Sequence, residues 1–321
     1  MKTAVLYAGQ GSQRVGMGKD FYAQVPDFRW VLDRAAAFVD FDLLETMFVG
    51  PEDVLGETSR TQPALAAFAA GITEILRRRA IFPSYTAGLS LGEYSALYAS
   101  GVLDLETLMK ATAFRGDAMR RAGEHCDTMM VALMGAGAEL AEKVCAEARE
   151  EAGKAGEPCR VFVSNYNSPE QNVISGDRAA VLRAVEGAKR AGIRRCLPLR
   201  VSSAFHTPVM APAAAELRNY ASSMTLHPMQ VPVVFNVTGE TLREAGTAGE
   251  ADGIRRMMAE QVVTGVRMAQ TIRFLADHGT DTFIEVGPGK AVSGFVKKTA
   301  PGLRTITIDT VSDLEKLDDL I

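Results

Sequence analysis

The alternation of apolar and polar positions divides the chain into short strands and longer helices. Thr3 to Tyr7 is a β-rich run that predicts a buried first strand, ending in the polar glycine loop Ala8-Gly9-Gln10-Gly11-Ser12-Gln13. Residues 19–60 read as helices and loops, with Pro51 and a charged patch breaking the pattern. From Gln62 to Ala80 apolar residues recur at helical spacing (Leu65, Phe68, Ile72, Ile75, Leu76). That helix closes on Arg77-Arg78-Arg79, read as a solvated basic end favoured by the macrodipole. A short apolar run then enters Gly88-Leu89-Ser90-Leu91-Gly92, and a helix-compatible run follows from Glu93 to Ala99, stopped by Gly101. A further helix is expected at about Leu105 to Ala122.

Between about 128 and 200 the period changes. Met129–Met134, Arg160–Asn165, Asn172–Ser175 and Arg194–Leu199 read as strands, and Ala138–Ala152 and Arg178–Ala191 as helices. That order is β-α-β-β-α-β, the ferredoxin-like unit, set into a larger α/β body. The segment Asn165-Tyr166-Asn167-Ser168-Pro169 is expected to be the turn joining its central strands. Beyond it, Val231–Asn236 reads as a strand, and Val262 to Phe274 contains a helix with Gln261 just before it. Thr282 to Val286 reads as a buried strand leading into Gly287-Pro288-Gly289-Lys290 and a helix whose N-terminus faces the site. Val311 to Ile321 reads as a short amphipathic tail on the body.

Composition narrows the function classes. A chain of 321 residues with 47% hydrophobic and 23% charged residues can bury a substantial core. A net charge of −4 gives no sign of a nucleic-acid or anionic-membrane surface. No stretch approaches the roughly 18–20 apolar residues of a membrane span, and the opening apolar run is too short for a secretory signal. Cys126, Cys145, Cys159 and Cys196 are widely spaced without a C-x-x-C pair. They read as reduced structural thiols rather than a metal or redox site.

The chemistry gathers around Ser90. Gly-x-Ser-x-Gly between a strand and a helix has the context of a nucleophile elbow, in which the glycines permit a tight turn and the helix N-terminus aims N–H groups at the serine. The same pentapeptide also arises without function. His206 stands in the non-periodic loop Ser202-Ser203-Ala204-Phe205-His206-Thr207-Pro208, a placement suited to a base but equally that of a solvated histidine. Arg115 lies on a helix face among small and apolar neighbours, either as a salt-bridge partner or as a carboxylate binder. Arg14 stands where a dinucleotide fingerprint needs its third glycine, and Gly-x-x-x-x-Gly-Lys-Ser/Thr is absent near Lys290. Nucleotide binding is therefore not expected.

Taken in order, these motifs resemble the malonyl-coenzyme A:acyl carrier protein transacylases and the related acyltransferase domains of polyketide synthases. The resemblance rests on Gly9-Gln10-Gly11-Ser12-Gln13, Gly88-Leu89-Ser90-Leu91-Gly92-Glu93-Tyr94, Arg115-Gly116, Asn165-Tyr166-Asn167-Ser168-Pro169, Ala204-Phe205-His206, Gln261 and Glu285-Val286-Gly287-Pro288-Gly289-Lys290. It implies a hydrolase-like α/β body with a mostly parallel sheet over residues 1–127 and 201–321, and a ferredoxin-like subdomain over 128–200. It implies Ser90 as nucleophile, His206 as base, and a Gln261 carbonyl that holds the imidazole in place of an acidic third member. It further implies backbone N–H groups of Gln10 and Leu91 as the oxyanion hole and Arg115 as the grip on a malonyl carboxylate. Gln261, Phe205, Asn165 and Asn167 complete the implied substrate site, with no metal.

The implied reaction is ping-pong transfer of malonyl from malonyl-coenzyme A to the phosphopantetheine thiol of acyl carrier protein, in fatty-acid synthesis, by a cytoplasmic monomer without a resident cofactor. Phe205 predicts malonyl over methylmalonyl, and Arg194, Arg195, Lys297 and Lys298 are candidates for an acidic carrier's footprint. A polyketide acyltransferase acting in trans shares these motifs. An ordinary esterase fits less well, since its histidine lies near the C-terminus and Arg115 has no purpose there. A non-catalytic docking subunit would not keep Ser90, His206, Arg115 and Gln10 together. Leu89, Ala8, Gly265 and Met268 depart from the family pattern, where His, Pro, Pro and Trp are usual.

Overall fold

The computed structural model describes residues 2–154, 159–201 and 203–320; Ser202 of the His206 loop and Ile321 of the tail lie outside them. Its strands are β1 (Thr3–Tyr7), β2 (Tyr85–Gly88), β3 (Thr128–Met134), β4 (Val161–Ser168), β5 (Gln171–Asp177), β6 (Arg195–Pro198), β7 (Val233–Val234), β8 (Thr282–Val286) and β9 (Arg304–Ile308). Five of them form a sheet in the order β7-β2-β1-β8-β9, with every pair parallel. Parallel sheets are covered on both faces, and β1 shows how. Val5 and Tyr7 join one apolar core with the helix Thr58–Arg78, while Ala4 and Leu6 point to a second with the helix Met268–Asp277. The period of two along a strand thus feeds two cores from one segment.

The remaining strands form an antiparallel sheet in the order β4-β5-β3-β6. With helices Ala138–Lys154 and Arg178–Arg190 packed on it, the chain order is β-α-β-β-α-β, as the periodicity predicts.

Several expectations are corrected. The stretch Asn165 to Ser168 is strand, not turn: β4 runs to Ser168 through two irregularities in its pairing with β5, and Asn165 bridges Val266 in the other direction. A polar Asn/Ser run mimics turn composition, but here its side chains face a site. Val231–Asn236 contracts to the two residues of β7. Gln261 does not precede a helix; it ends the helix Glu250–Gln261, and the next helix starts at Met268. The long apolar helix begins at Thr58, before Gln62. Its basic end is only partly solvated, since Arg77 donates to Tyr98 O and Arg79 to Leu314 O. The N-terminus of the helix Ala291–Thr299 is not free for a ligand either, because Glu285 of β8 accepts from Val292 N and Ser293 N at 3.0 and 2.8 Å.

Candidate active site

The parallel sheet delivers Ser90 at the C-terminal end of β2, one residue from the helix that starts at Gly92. The turn is as tight as its glycines allow. A Cβ on Gly88 would meet Gly92 C at 2.0 Å, and one on Gly92 would meet Tyr7 O at 2.2 Å. Ser90 itself takes a left-handed backbone, φ 54°, a region that costs a non-glycine residue energy and persists only where surrounding structure fixes it. The only other such non-glycine residues among those described are Ala80 and His206, the latter at φ 59°.

The two strained residues meet. Ser90 Oγ lies 2.6 Å from His206 Nε2, and His206 Nδ1 lies 2.8 Å from the carbonyl oxygen of Gln261. A carbonyl can only accept, so Nδ1 carries the proton, Nε2 is the free lone pair, and the serine hydroxyl donates to it. Burial holds the imidazole pKa down to about 4, aided by the nearby positive charge of Arg115 and opposed by the Gln261 bond. His206 is therefore a neutral acceptor over the physiological range.

Arg115 is the largest fully buried side chain among the described residues. It donates to Gln62 Oε1 at 2.8 Å, to Gln261 Oε1 at 2.7 Å and to Ser90 Oγ at 3.2 Å. Among the described residues it has no salt-bridge partner, so the surface ion-pair reading is overturned; the guanidinium packs over the ring of Tyr94, 5.4 Å from its centroid. A buried cation held by neutral carbonyls beside a serine hydroxyl has the chemistry to receive an anion. The approach of its helix depends on Gly116, whose Cβ would meet Thr58 O at 2.6 Å.

Gln10 lies on the loop after β1 and shares a cavity with Ser90, and Leu91 follows Ser90 at the cap of the elbow helix. Among the described residues neither backbone N–H donates to a protein acceptor. The Gln10 side chain is anchored to Thr58 Oγ1 at 3.0 Å. Gln10, Leu89, Ser90, Phe205, His206, Asn165 and Asn167 line one small cavity of about 140 Å³, with Met119, Met130 and Val173 on its walls. The structure thus brings all nine sequence-selected residues to one place. Asn167 Oδ1 is buried there without a hydrogen-bond partner among the described residues. Leu89 adds an apolar wall.

Sequence reasoning gave no role to Gln62, Glu93 or Asn236. Gln62 had a signal, as a polar residue on the apolar face of a long helix. Glu93 was part of the elbow motif but carried no role, though it is fully buried and pushed up to about 7 by desolvation. Asn236 had none, standing two residues past the end of β7.

Comparison with known proteins agrees with this geometry. The family model described as acyl transferase domain matches residues 5–310. A malonyl CoA-acyl carrier protein transacylase of Bacillus subtilis (strain 168) is 37% identical over 314 residues, covering 98% of this chain and 95% of that one. The crystal structure of the Streptococcus pneumoniae enzyme of this type superposes with a TM-score of 0.90 at 36% identity, covering all of both chains. A malonyl-transacylase solved in complex with a type II polyketide synthase acyl-carrier protein superposes at 0.92 and 31% identity, again over the whole of both. The chain belongs to the acyl transferase domain family and, within it, to the malonyl CoA-acyl carrier protein transacylases.

Proposed function

We propose that this chain transfers malonyl from malonyl-coenzyme A to the phosphopantetheine thiol of acyl carrier protein, through an ester on Ser90, to supply fatty-acid synthesis in the cytoplasm. The observation that carries the reading is the position of Ser90 Oγ between a neutral imidazole at 2.6 Å and a buried guanidinium at 3.2 Å. One activates the oxygen; the other receives the acyl group's far carboxylate.

In the first half-reaction His206 Nε2 takes the Ser90 proton as Oγ bonds to the thioester carbonyl carbon. The oxyanion is met by the N–H groups of Gln10 and Leu91, each worth about 3–4 kcal/mol. The C–S bond breaks, and the imidazolium returns its proton to the departing thiolate. The second half-reaction runs in reverse with the carrier's thiol. Arg115 exchanges its Ser90 contact for the malonate carboxylate, while Gln62 and Gln261 keep the fork in plane. Asn165 and Asn167 offer polar contacts along the same wall, and Phe205 leaves little room for an α-methyl group. No step calls for a metal or cofactor. The segments 1–127 and 201–321 serve as the catalytic body and 128–200 as a subdomain closing over it, in a monomer.

A second cavity of about 600 Å³ shares Gln171 with the first and is lined by Arg195, Lys290 and Lys298. It is a suitable channel for the phosphopantetheine arm, with basic side chains toward an acidic carrier. Lys298 already pairs with Glu170 at 2.8 Å.

Intact-protein mass spectrometry after mixing with malonyl-coenzyme A tests the reading. It requires a malonyl adduct on Ser90 that carrier protein discharges; rapid release of free malonate instead would favour a hydrolase. The likeness to a transacylase bound to a polyketide carrier supports a second assignment, service to a polyketide synthase. Relative discharge rates with the two carrier types separate them.

A further inference from the structure

The nucleophile's strained backbone needs a physical cause, and the elbow glycines do not provide it, since they permit the turn without enforcing it. The cause lies on the neighbouring strand. β7 pairs with β2 in parallel through Thr86–Val233 and Ala87–Val234 and then stops. Two residues later, Asn236 turns its side-chain amide to the elbow. Oδ1 accepts from Ser90 N at 2.7 Å, and Nδ2 donates to Gly88 O at 2.7 Å. In a parallel ladder, one residue donates to the carbonyl before its partner and accepts from the N–H after it. Gly88 O and Ser90 N are those two groups for Leu89. The Asn236 amide therefore replaces a strand residue opposite Leu89 and carries the ladder beyond the end of β7.

On the other edge, Leu89 N donates to Tyr7 O at 2.9 Å, so the elbow is pinned from both sides. The asparagine is itself fixed. Its own N–H donates to Glu93 Oε2 at 2.6 Å, its carbonyl accepts from Arg267 N at 3.0 Å, and it is buried. Ser90's remaining backbone group, its carbonyl, accepts from Gln261 Nε2 at 2.9 Å and Glu93 N at 3.0 Å. Every backbone group of Ser90 is thus held, and its hydroxyl has no freedom apart from χ1.

We propose that Asn236 is a positioning residue for the transfer reaction: its side-chain amide acts as a surrogate strand residue that holds Ser90 at positive φ, so that Oγ faces the carbonyl carbon while the Leu91 N–H faces its oxygen and His206 Nε2 faces the Oγ proton. The inference rests on the reading of Ser90 as nucleophile. Glu93, whose carboxylate accepts from Asn236 N, orients it from behind. Asn236 makes no bond to Arg115, which keeps Gln62 and Gln261 as anchors beside its 3.2 Å contact to Ser90 Oγ. Loss of the amide should therefore slow bond formation and leave malonyl binding in place.

The test is rapid-quench measurement of malonyl-Ser90 formation in Asn236→Ala and Asn236→Asp, with KM for malonyl-coenzyme A and thermal melting alongside. A displacement of the nucleophile by about 1 Å costs on the order of 100-fold, so Asn236→Ala should acylate about 100-fold more slowly with KM within threefold of the parent. Asn236→Asp keeps the acceptor for Ser90 N–H but replaces the donor to Gly88 O with a second acceptor oxygen, so it should recover only part of the rate, to about 10-fold below the parent. Acylation of a folded Asn236→Ala protein within threefold of the parent overturns the proposal, as does a loss confined to KM. If the alanine variant does not fold, Asn236→Asp decides on the same criteria. A parent protein that takes no adduct on Ser90 overturns the reading beneath it instead, and the two failures are distinguished in one experiment.

Discussion

Arg115 biases His206, and the bias has a measurable consequence. The imidazole is held to about 4, mainly by burial and next by the guanidinium. The profile of kcat/KM, which reports the free enzyme, should stay flat from pH 8 to about pH 5 and fall only as pH approaches 4. When a malonate carboxylate sits on Arg115, that positive field is cancelled. The acid limb of kcat should then lie at higher pH than the limb of kcat/KM, and steady-state rates from pH 4 to 8 check both. Arg115→Ala should lower kcat/KM for malonyl-coenzyme A by about 100-fold, the scale of about 3 kcal/mol for charge-assisted hydrogen bonds to a carboxylate. Acetyl transfer should lose far less. Arg115→Lys should restore little, because an ammonium cannot span Gln62, Gln261 and a carboxylate in one plane.

Backbone contact governs the elements. Gly92 lets the elbow helix touch β1, and a methyl group there would overlap Tyr7 O and Ala8 O, neither of which can move without breaking the sheet. Gly92→Ala should cost about 3 kcal/mol, the upper range for overpacking, and urea unfolding measures it. This contact also shows what a one-dimensional pattern can carry. Gly88, Ser90 and Gly92 are neighbours in sequence, so strand, turn and helix were legible together, and the periods of two and 3.6 exposed the β-α-β-β-α-β unit. The composition of Asn165 to Ser168 is that of a turn, and only the cavities they line explain polar side chains on a strand. The helix Glu250–Gln261 went unseen, its apolar positions broken by Arg255, Arg256 and Glu260. Asn236 was beyond reach, as its role exists only through a ladder formed with residues almost 150 positions away.

Across the whole molecule, two buried groups of opposite habit set a pH balance. His206 is depressed from 6.5 to about 4, so the unfolded chain takes up that proton first, and its contribution to stability is lost as pH falls from 6.5 to about 4. Glu93 is raised from 4.5 to about 7, so its contribution is full below 4.5 and lost as pH rises through 7. The two slopes oppose each other between roughly pH 4.5 and 6.5. Glu93→Gln keeps an acceptor for Asn236 N–H and removes the charge. Its melting temperature relative to the parent should rise from pH 5 to pH 8, and thermal scans across that range check the sign.

The main-chain carbonyl behind His206 has one more consequence, concerning which acceptors the acyl group can reach. A carbonyl fixes a tautomer but carries no net charge, so it adds little to the stability of an imidazolium and leaves the ring a weak base. Such a base discriminates among acceptors by their acidity. A thiol, with a pKa of about 8.5, gives up its proton easily, whereas water, at about 15.7, resists by many orders of magnitude. A buried carboxylate in the place of Gln261 O would strengthen the base and narrow that gap. On the proposed mechanism, a dyad without one would preserve the ester in the presence of solvent and release it to sulfur.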